Sequence, residues 1–208
     1  MTATLKTAVG LANASIKTFM GLAKASTKTV IGLTADAALF TDNFNRANET
    51  PIGGNWSTQD GAPPMNLTSN ALVGSSASLN ASFVNSVSPN NDQYAQCTML
   101  AAAQGGPCVR MGPAPGGFDL YGFQVFGGGT QGNLYRLDNS GYTSLDLQTV
   151  TLVDGDTAKI TVIGTAIKGY VNGVQVCAAT DATYASGAFG MLGVGTTPSF
   201  DNFEGGNT

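Results

Sequence analysis

From about Ala38 onward the chain rarely runs much past about ten residues without a cluster of glycine, asparagine, aspartate or proline. That spacing leaves room for strands and tight turns and excludes long helices. The stretches between clusters are apolar: Phe83-Val84 with Val87, Tyr94 to Leu100, Phe118 to Phe126, and Leu134 to Leu137. The plainest element is Ile167 to Val176, where alternating apolar residues flank Asn172-Gly173. A two-residue type I′ turn needs positive φ at both positions, and Asn-Gly is the pair that accepts this most readily. Asp154-Gly155-Asp156 marks another turn, leading into Lys159 to Ile163. With 28 glycines and only 11% charged residues, the composition suits turns and flat apolar strands. The pattern predicts an all-β sandwich of two antiparallel sheets.

Upstream the texture is different. Leu5-Lys6-Thr7 returns as Ile16-Lys17-Thr18 and as Thr27-Lys28-Thr29, an eleven-residue repeat. Each copy carries Gly-Leu at a fixed offset: Gly10-Leu11, Gly21-Leu22 and Gly32-Leu33. So short a repeat cannot bury its own apolar positions; it must stack on neighbours, on other chains or on a partner. Residues 1–37 therefore read as an anchoring arm and residues 38–208 as the domain it holds. An eleven-residue period fits a right-handed helical supercoil, but a glycine in each copy costs about 1 kcal/mol there. Leu5, Thr7, Val9 and Leu11 alternate with Lys6, Ala8 and Gly10 as a strand would. The expectation is short extended pieces that order on a partner or in an oligomer, with strand or helix left open.

Charge and composition exclude several functions. Residues 1–40 hold four lysines against Asp36, a net of +3, while the remainder holds five bases and twelve acids, a net of −7. An acidic domain of this kind repels nucleic acid. No apolar run approaches the ~20 residues that span a bilayer, and the N-terminal apolar residues are too interrupted for a signal-peptide pattern. Cys97, Cys108 and Cys177 each sit in an apolar stretch, which favours buried free thiols and leaves pairing of two of them open. Without a histidine there is no Ser-His-Asp or Cys-His system and no histidine-ligated zinc.

Gly155-Asp156-Thr157, Ile160-Thr161-Val162, Tyr170-Val171-Asn172-Gly173, Thr180 to Gly187, Gly190 and Phe200-Asp201-Asn202-Phe203 together resemble a concanavalin A-like lectin/glucanase (laminin-G-like) jelly roll. Asp42 to Arg46, with Pro51-Ile52-Gly53 and Asn55-Trp56, is similar to the opening of the same group. The resemblance spans about residues 38 to 205. It implies that the first and last strands lie side by side, where Thr41-Asp42-Asn43-Phe44 and Phe200-Asp201-Asn202-Phe203 are near-copies. It also implies a candidate structural calcium near those strands, with Asp42 and Asp201 as matching ligands beside Asn43 and Asn202; closing the strands by hydrogen bonds is the alternative role. No cofactor is required. The arm resembles short repeats that precede such domains in tailed-phage virion proteins.

The enzymes of that family use paired carboxylates, about 5 to 5.5 Å apart in retaining members, in a Glu-x-Asp-x-x-Glu pattern on one strand. Glu49 and Glu204 are the only glutamates and neither has such neighbours. Asp154 and Asp156 read as turn residues. The chain is accordingly expected not to be an enzyme. Glycan binding needs an aromatic platform, for which Trp56, Tyr121 and Tyr135 are the candidate contacts; a core-capping role is the alternative for Trp56. The sequence reading is a non-enzymatic virion accessory protein (capsid decoration, head-fibre or tail component) that displays a lectin-like sandwich. Leu5, Lys6, Gly10, Leu11, Ile16, Lys17, Gly21, Leu22, Lys28, Gly32 and Leu33 form its anchor. Its expected partners are other virion proteins or copies of itself, three wound arms being one arrangement, and surface glycans. The alternative reading is a carbohydrate-binding module of a secreted or cell-surface protein.

Overall fold

A computed structural model of the chain describes residues 37–101, 104–112, 119–138 and 141–208. The repeat residues Leu5 to Leu33, and with them the whole anchoring assignment, lie outside the described residues. The rest is an all-β sandwich. One sheet runs β13 (Val174–Thr180), β12 (Ala166–Val171), β11 (Thr157–Ile163), β6 (Gln93–Ala101), β15 (Ser199–Asn207), β4 (Ala71–Gly74) and β3 (Met65–Thr68), with β1 (Ala37–Asp42) also on β15. The other runs β10 (Gly141–Thr149), β9 (Gln131–Asp138), β8 (Leu120–Phe126), β7 (Gly105–Met111), β14 (Ala188–Val194), β5 (Leu79–Val84) and β2 (Trp56–Thr58). The expected two-sheet antiparallel jelly roll is what forms. Among the described residues no helix is long and apolar enough to cross a membrane.

Local chemistry sets the turns. Asn172 and Gly173 take φ of 50° and 76°, the type I′ signature, and close β12 onto β13 with Val171 opposite Val174. The Asn172 side chain also accepts from Thr157 N and donates to Asp156 Oδ1, whose other oxygen accepts from Val153 N. Asp156 is thus a turn residue, held below the ordinary carboxylate range by those donors.

The first and last strands do pair, Thr41 facing Glu204 and Asp42 facing Phe203. Trp56 fastens that corner. Its ring meets Phe203 edge-on at 5.0 Å and Phe40 at 5.8 Å, and its indole N–H donates to Asp42 Oδ2 at 2.9 Å. The inter-sheet core continues through Phe189, Phe123, Ile160, Val162 and Leu134. All three cysteines are buried and free. Burial pushes the Cys108 thiol up to about 12 and Cys177 to about 11, so both stay protonated and unreactive.

Trp56→Ala should cost about 3–5 kcal/mol in urea unfolding, because a large aromatic leaves a cavity between the rings of Phe40, Phe44 and Phe203. Asp42→Ala should cost less, about 1–3 kcal/mol, for the stranded indole donor. Equal losses would mean that the hydrogen bond, not the packing, holds the corner.

Candidate functional site

In the second sheet, strand alternation separates two faces. Val109, Tyr121, Phe123, Val125 and Leu134 point into the inter-sheet core. The residues between them point the other way and build a second apolar cluster of Ala81, Cys108, Met111, Leu120, Tyr135, Leu137 and Leu192. Register aligns one row of this outer face across all seven strands: Ser57, Phe83, Gly190, Cys108, Gly122, Tyr135 and Ser144. The glycine at 122 is required by its neighbour. A β-carbon there would collide with the Tyr135 ring and hydroxyl, so Tyr135 lies flat against the sheet only because Gly122 has none.

Tyr142, on the outermost strand, stacks on Tyr135 with centroids 5.1 Å apart and planes at 20°. Its hydroxyl accepts from Gln124 Nε2 and from Asn133 Nδ2, each at 2.7 Å. Ser144 Oγ donates to Asn133 Oδ1 at 3.0 Å. Gln124 and Asn133 are cross-strand partners and are buried, whereas Tyr142 is 47% exposed. Burial raises the Tyr142 pKa, and the two amide donors partly offset this. The result is a neutral platform: one exposed aromatic ring whose hydroxyl is held by two buried amides, with half-exposed Leu147 opposite Asn133. No carboxylate projects from the facing positions of β7, β8 and β9.

The residues expected to contact glycan are elsewhere or covered. Trp56 is 3% exposed, Tyr121 0% and Tyr135 1%, so none offers a ring to solvent. Trp56 caps the core. Tyr121 points into the sandwich, and Tyr135 is roofed by Tyr142. The calcium pair also fails to form. Asp42 Oδ1 accepts from Phe44 N at 2.8 Å and from Arg46 Nη1 at 2.7 Å, and Oδ2 holds the Trp56 indole. A cation would have to displace a guanidinium there. Asp201 sits opposite Thr98 of β6, not opposite Asp42. Asp42 does not fit a bound calcium and serves the hydrogen-bonding role instead, while Asp201 Oδ1 accepts from Asn202 N. Among the described residues no group of three or more carboxylates and cysteines could hold a metal ion.

A cavity of about 790 Å³ lies away from the tyrosine face, where Asn91, Asp92, Gly164, Thr165 and Tyr184 meet around Arg110. Arg110 is buried, with φ of 49°. Its guanidinium donates to Asn91 O twice, to Tyr184 O and to Gly164 O, at 2.8 to 3.0 Å. Those bonds make it a clamp for three loops, and burial lowers its pKa. A guanidinium so engaged has little left for a ligand. A second clamp holds the stretch from Asp181 to Tyr184. Tyr121 Oη donates to Asp181 Oδ1 at 2.6 Å and Arg136 Nη1 to Oδ2 at 2.7 Å, while Tyr184 N donates to Tyr121 Oη.

No family model matches the sequence, and no curated protein sequence matches it. Solved structures do match the fold. A carbohydrate-binding module, CBM66 from Bacillus subtilis, aligns with a TM-score of 0.56 at 15% identity over 74% of this chain and 92% of its own. A Bacillus subtilis protein of unknown function with a galectin-like fold gives 0.57 at 11% identity, covering 83% and 97%. The β-glucanase of Bacillus licheniformis gives 0.53 at 17% identity, covering 85% and 100%. At such identities the likeness establishes the galectin-like, concanavalin A-like jelly roll, an architecture shared by binding modules and enzymes.

The Asp181 clamp carries a pH signature. Burial opposes the carboxylate, but hydrogen bonds from Thr183 and Tyr121 and the Arg136 charge outweigh it and hold the pKa at about 2 against an ordinary 3.8. A depressed carboxylate stabilises the fold above its unfolded value, and that contribution is lost as pH falls through 3.8 toward 2. Asp181→Asn should therefore remove about 2 kcal/mol of the acid-dependent loss, read from urea unfolding at about pH 5 and about pH 2.5. An unchanged pH dependence would show that the clamp is not coupled to folding.

Proposed function

We propose that this chain is a non-catalytic carbohydrate-binding sandwich that takes neutral glycans on the outer face of its second sheet. The observation that carries the reading is the Tyr142 platform. The C–H face of a sugar ring packs on an exposed aromatic, and nearby neutral hydroxyl and amide groups supply the few directed hydrogen bonds that such sites use. Ser144 and the Tyr142 hydroxyl provide them, oriented by Gln124 and Asn133. The amides also argue against catalysis. General acid–base cleavage of a glycosidic bond needs a group that can give up and retake a proton, and neither Gln124 nor Asn133 can. The domain's net of −7 disfavours acidic glycans. An extracellular or cell-surface setting suits this reading.

The N-terminal repeat supports a second, compatible reading: attachment to a larger assembly such as a virion, with the sandwich displayed. Copies of one weak contact at fixed spacing gain through effective concentration, and Lys6, Lys17 and Lys28 would set register against acidic partners. If so, the chain without residues 1–37 stays soluble and binds glycan but no longer co-purifies with its assembly. Retention by the assembly would contradict the anchor.

On an array of neutral oligosaccharides that includes β-glucan fragments, the full chain should bind at least one ligand, with Tyr142→Ala weakening it about tenfold or more. Trp56 and Tyr121 contribute only through stability. Binding that survives Tyr142→Ala in a folded variant, or no binding at millimolar glycan, overturns the reading, and release of reducing sugar overturns its non-catalytic part.

A further inference from the structure

The hydrogen bonds around Tyr142 leave each exposed group a single role toward a ligand. Gln124 Nε2 and Asn133 Nδ2 both donate to the Tyr142 hydroxyl, each at 2.7 Å. A hydroxyl oxygen has one proton to give and two lone pairs to accept with. The two amides fill the accepting side, so Tyr142 faces a ligand as a donor. Ser144 is the converse. Asn133 Oδ1 has no proton to give, so Ser144 commits its own to the 3.0 Å bond between them. The Ser144 oxygen, on an exposed residue, is left as an acceptor. The buried Asn133 amide thus fixes one donor and one acceptor beside each other, with their polarity set from below. The third neighbour is apolar. Leu147 lies directly opposite Asn133 and is 50% exposed, and residues directly opposite on an antiparallel pair share a face. The one acid of β10, Asp146, is turned away onto Ala178 N.

We infer that the Tyr142 platform selects glycans that carry an acetamido group, the N-acetylhexosamines. The inference rests on the platform being the glycan site. An acetamido group sets an acceptor carbonyl, a donor N–H and a methyl on one rigid plane. Its carbonyl accepts from the Tyr142 hydroxyl, its N–H donates to Ser144 Oγ, and its methyl covers Leu147, while the sugar ring lies on the Tyr142 ring. A plain ring hydroxyl in the same place satisfies the polar groups but leaves Leu147 in water. A carboxylate accepts from Tyr142 but meets the Ser144 lone pairs without a proton. The methyl contact alone is worth about fourfold in affinity, and the fixed donor–acceptor order adds to it.

The test is calorimetric titration of the full chain with matched pairs of neutral oligosaccharides, in the glucose and galactose series. The members of a pair differ only in a hydroxyl or an acetamido group on the carbon beside the anomeric centre. At least one acetamido member should bind about tenfold or more tightly than its hydroxyl counterpart. Tyr142→Phe keeps the ring but removes the donor, Ser144→Ala removes the acceptor, and Leu147→Ser removes the methyl's seat. Each should cut that ratio about threefold or more. Circular dichroism confirms that each variant is folded, and the ratio cancels any loss common to both ligands. A preference that survives all three variants overturns the inference. Equal or reversed affinities, with binding still lost in Tyr142→Ala, also overturn it but leave the platform as the glycan site. No binding by any member at millimolar concentration overturns it as well, and if the wider array of neutral glycans is equally blank the platform reading falls with it.

Discussion

The missing side chain at Gly122 governs the outer face of the second sheet. Because nothing projects there, Tyr135 can lie on the backbone of β8 with its hydroxyl near Cys108. That ring is the floor on which Tyr142 stacks, and the stacking brings the Tyr142 hydroxyl over Gln124 and Asn133. Each step depends on the one before. A β-carbon at 122 would lift Tyr135, tilt Tyr142 and leave two buried amides without their shared acceptor, a cost of about 1–3 kcal/mol for each stranded group. The sheet is consequently packed on both faces, and where β9 meets β10 the ring of Tyr142, Ser144 and the side chain of Leu147 reach solvent.

On the proposed reading, the same arrangement favours recognition over catalysis. Architecturally similar proteins include both a carbohydrate-binding module and a β-glucanase. Which of the two a jelly roll becomes is decided by the side chains on the exposed face, not by the strands beneath. Here those positions carry amides, a serine and a tyrosine. Several carboxylates have structural work instead: Asp42 holds Trp56 and Arg46, Asp156 closes a turn, Asp146 turns inward to hold Ala178 N, and Asp181 gathers Tyr121 and Arg136.

Much of the fold was legible because its signals are local. Asn172-Gly173 announces its turn by backbone preference alone, and the near-copies at Asp42 and Asp201 mark first and last strands that lie side by side. The site was less legible, because a tyrosine's face depends on strand parity and on what the next strand lays over it. Tyr121 and Tyr135 sit in adjacent strands, yet one points into the core and the other away from it. Tyr135 is then hidden by a residue seven positions later. Gln124 and Asn133 carry no sequence signal at all; counting alternation from Phe123 and Leu134 would have placed them on the outer face, but not beneath Tyr142. Nothing in the sequence shows the three loop carbonyls that converge on Arg110.

The most direct test of the Tyr142 platform is a titration of a bound neutral oligosaccharide followed by the side-chain amide resonances of Gln124 and Asn133 in nitrogen-15 NMR. Those NH2 groups donate to the hydroxyl that the sugar would engage, so their signals should shift in step with binding and ahead of those from the Arg110 loops. Saturable binding that leaves both amides unmoved, or moves only residues such as Asn91, Thr165 and Tyr184, would place the site in the cavity at Arg110 and contradict the account.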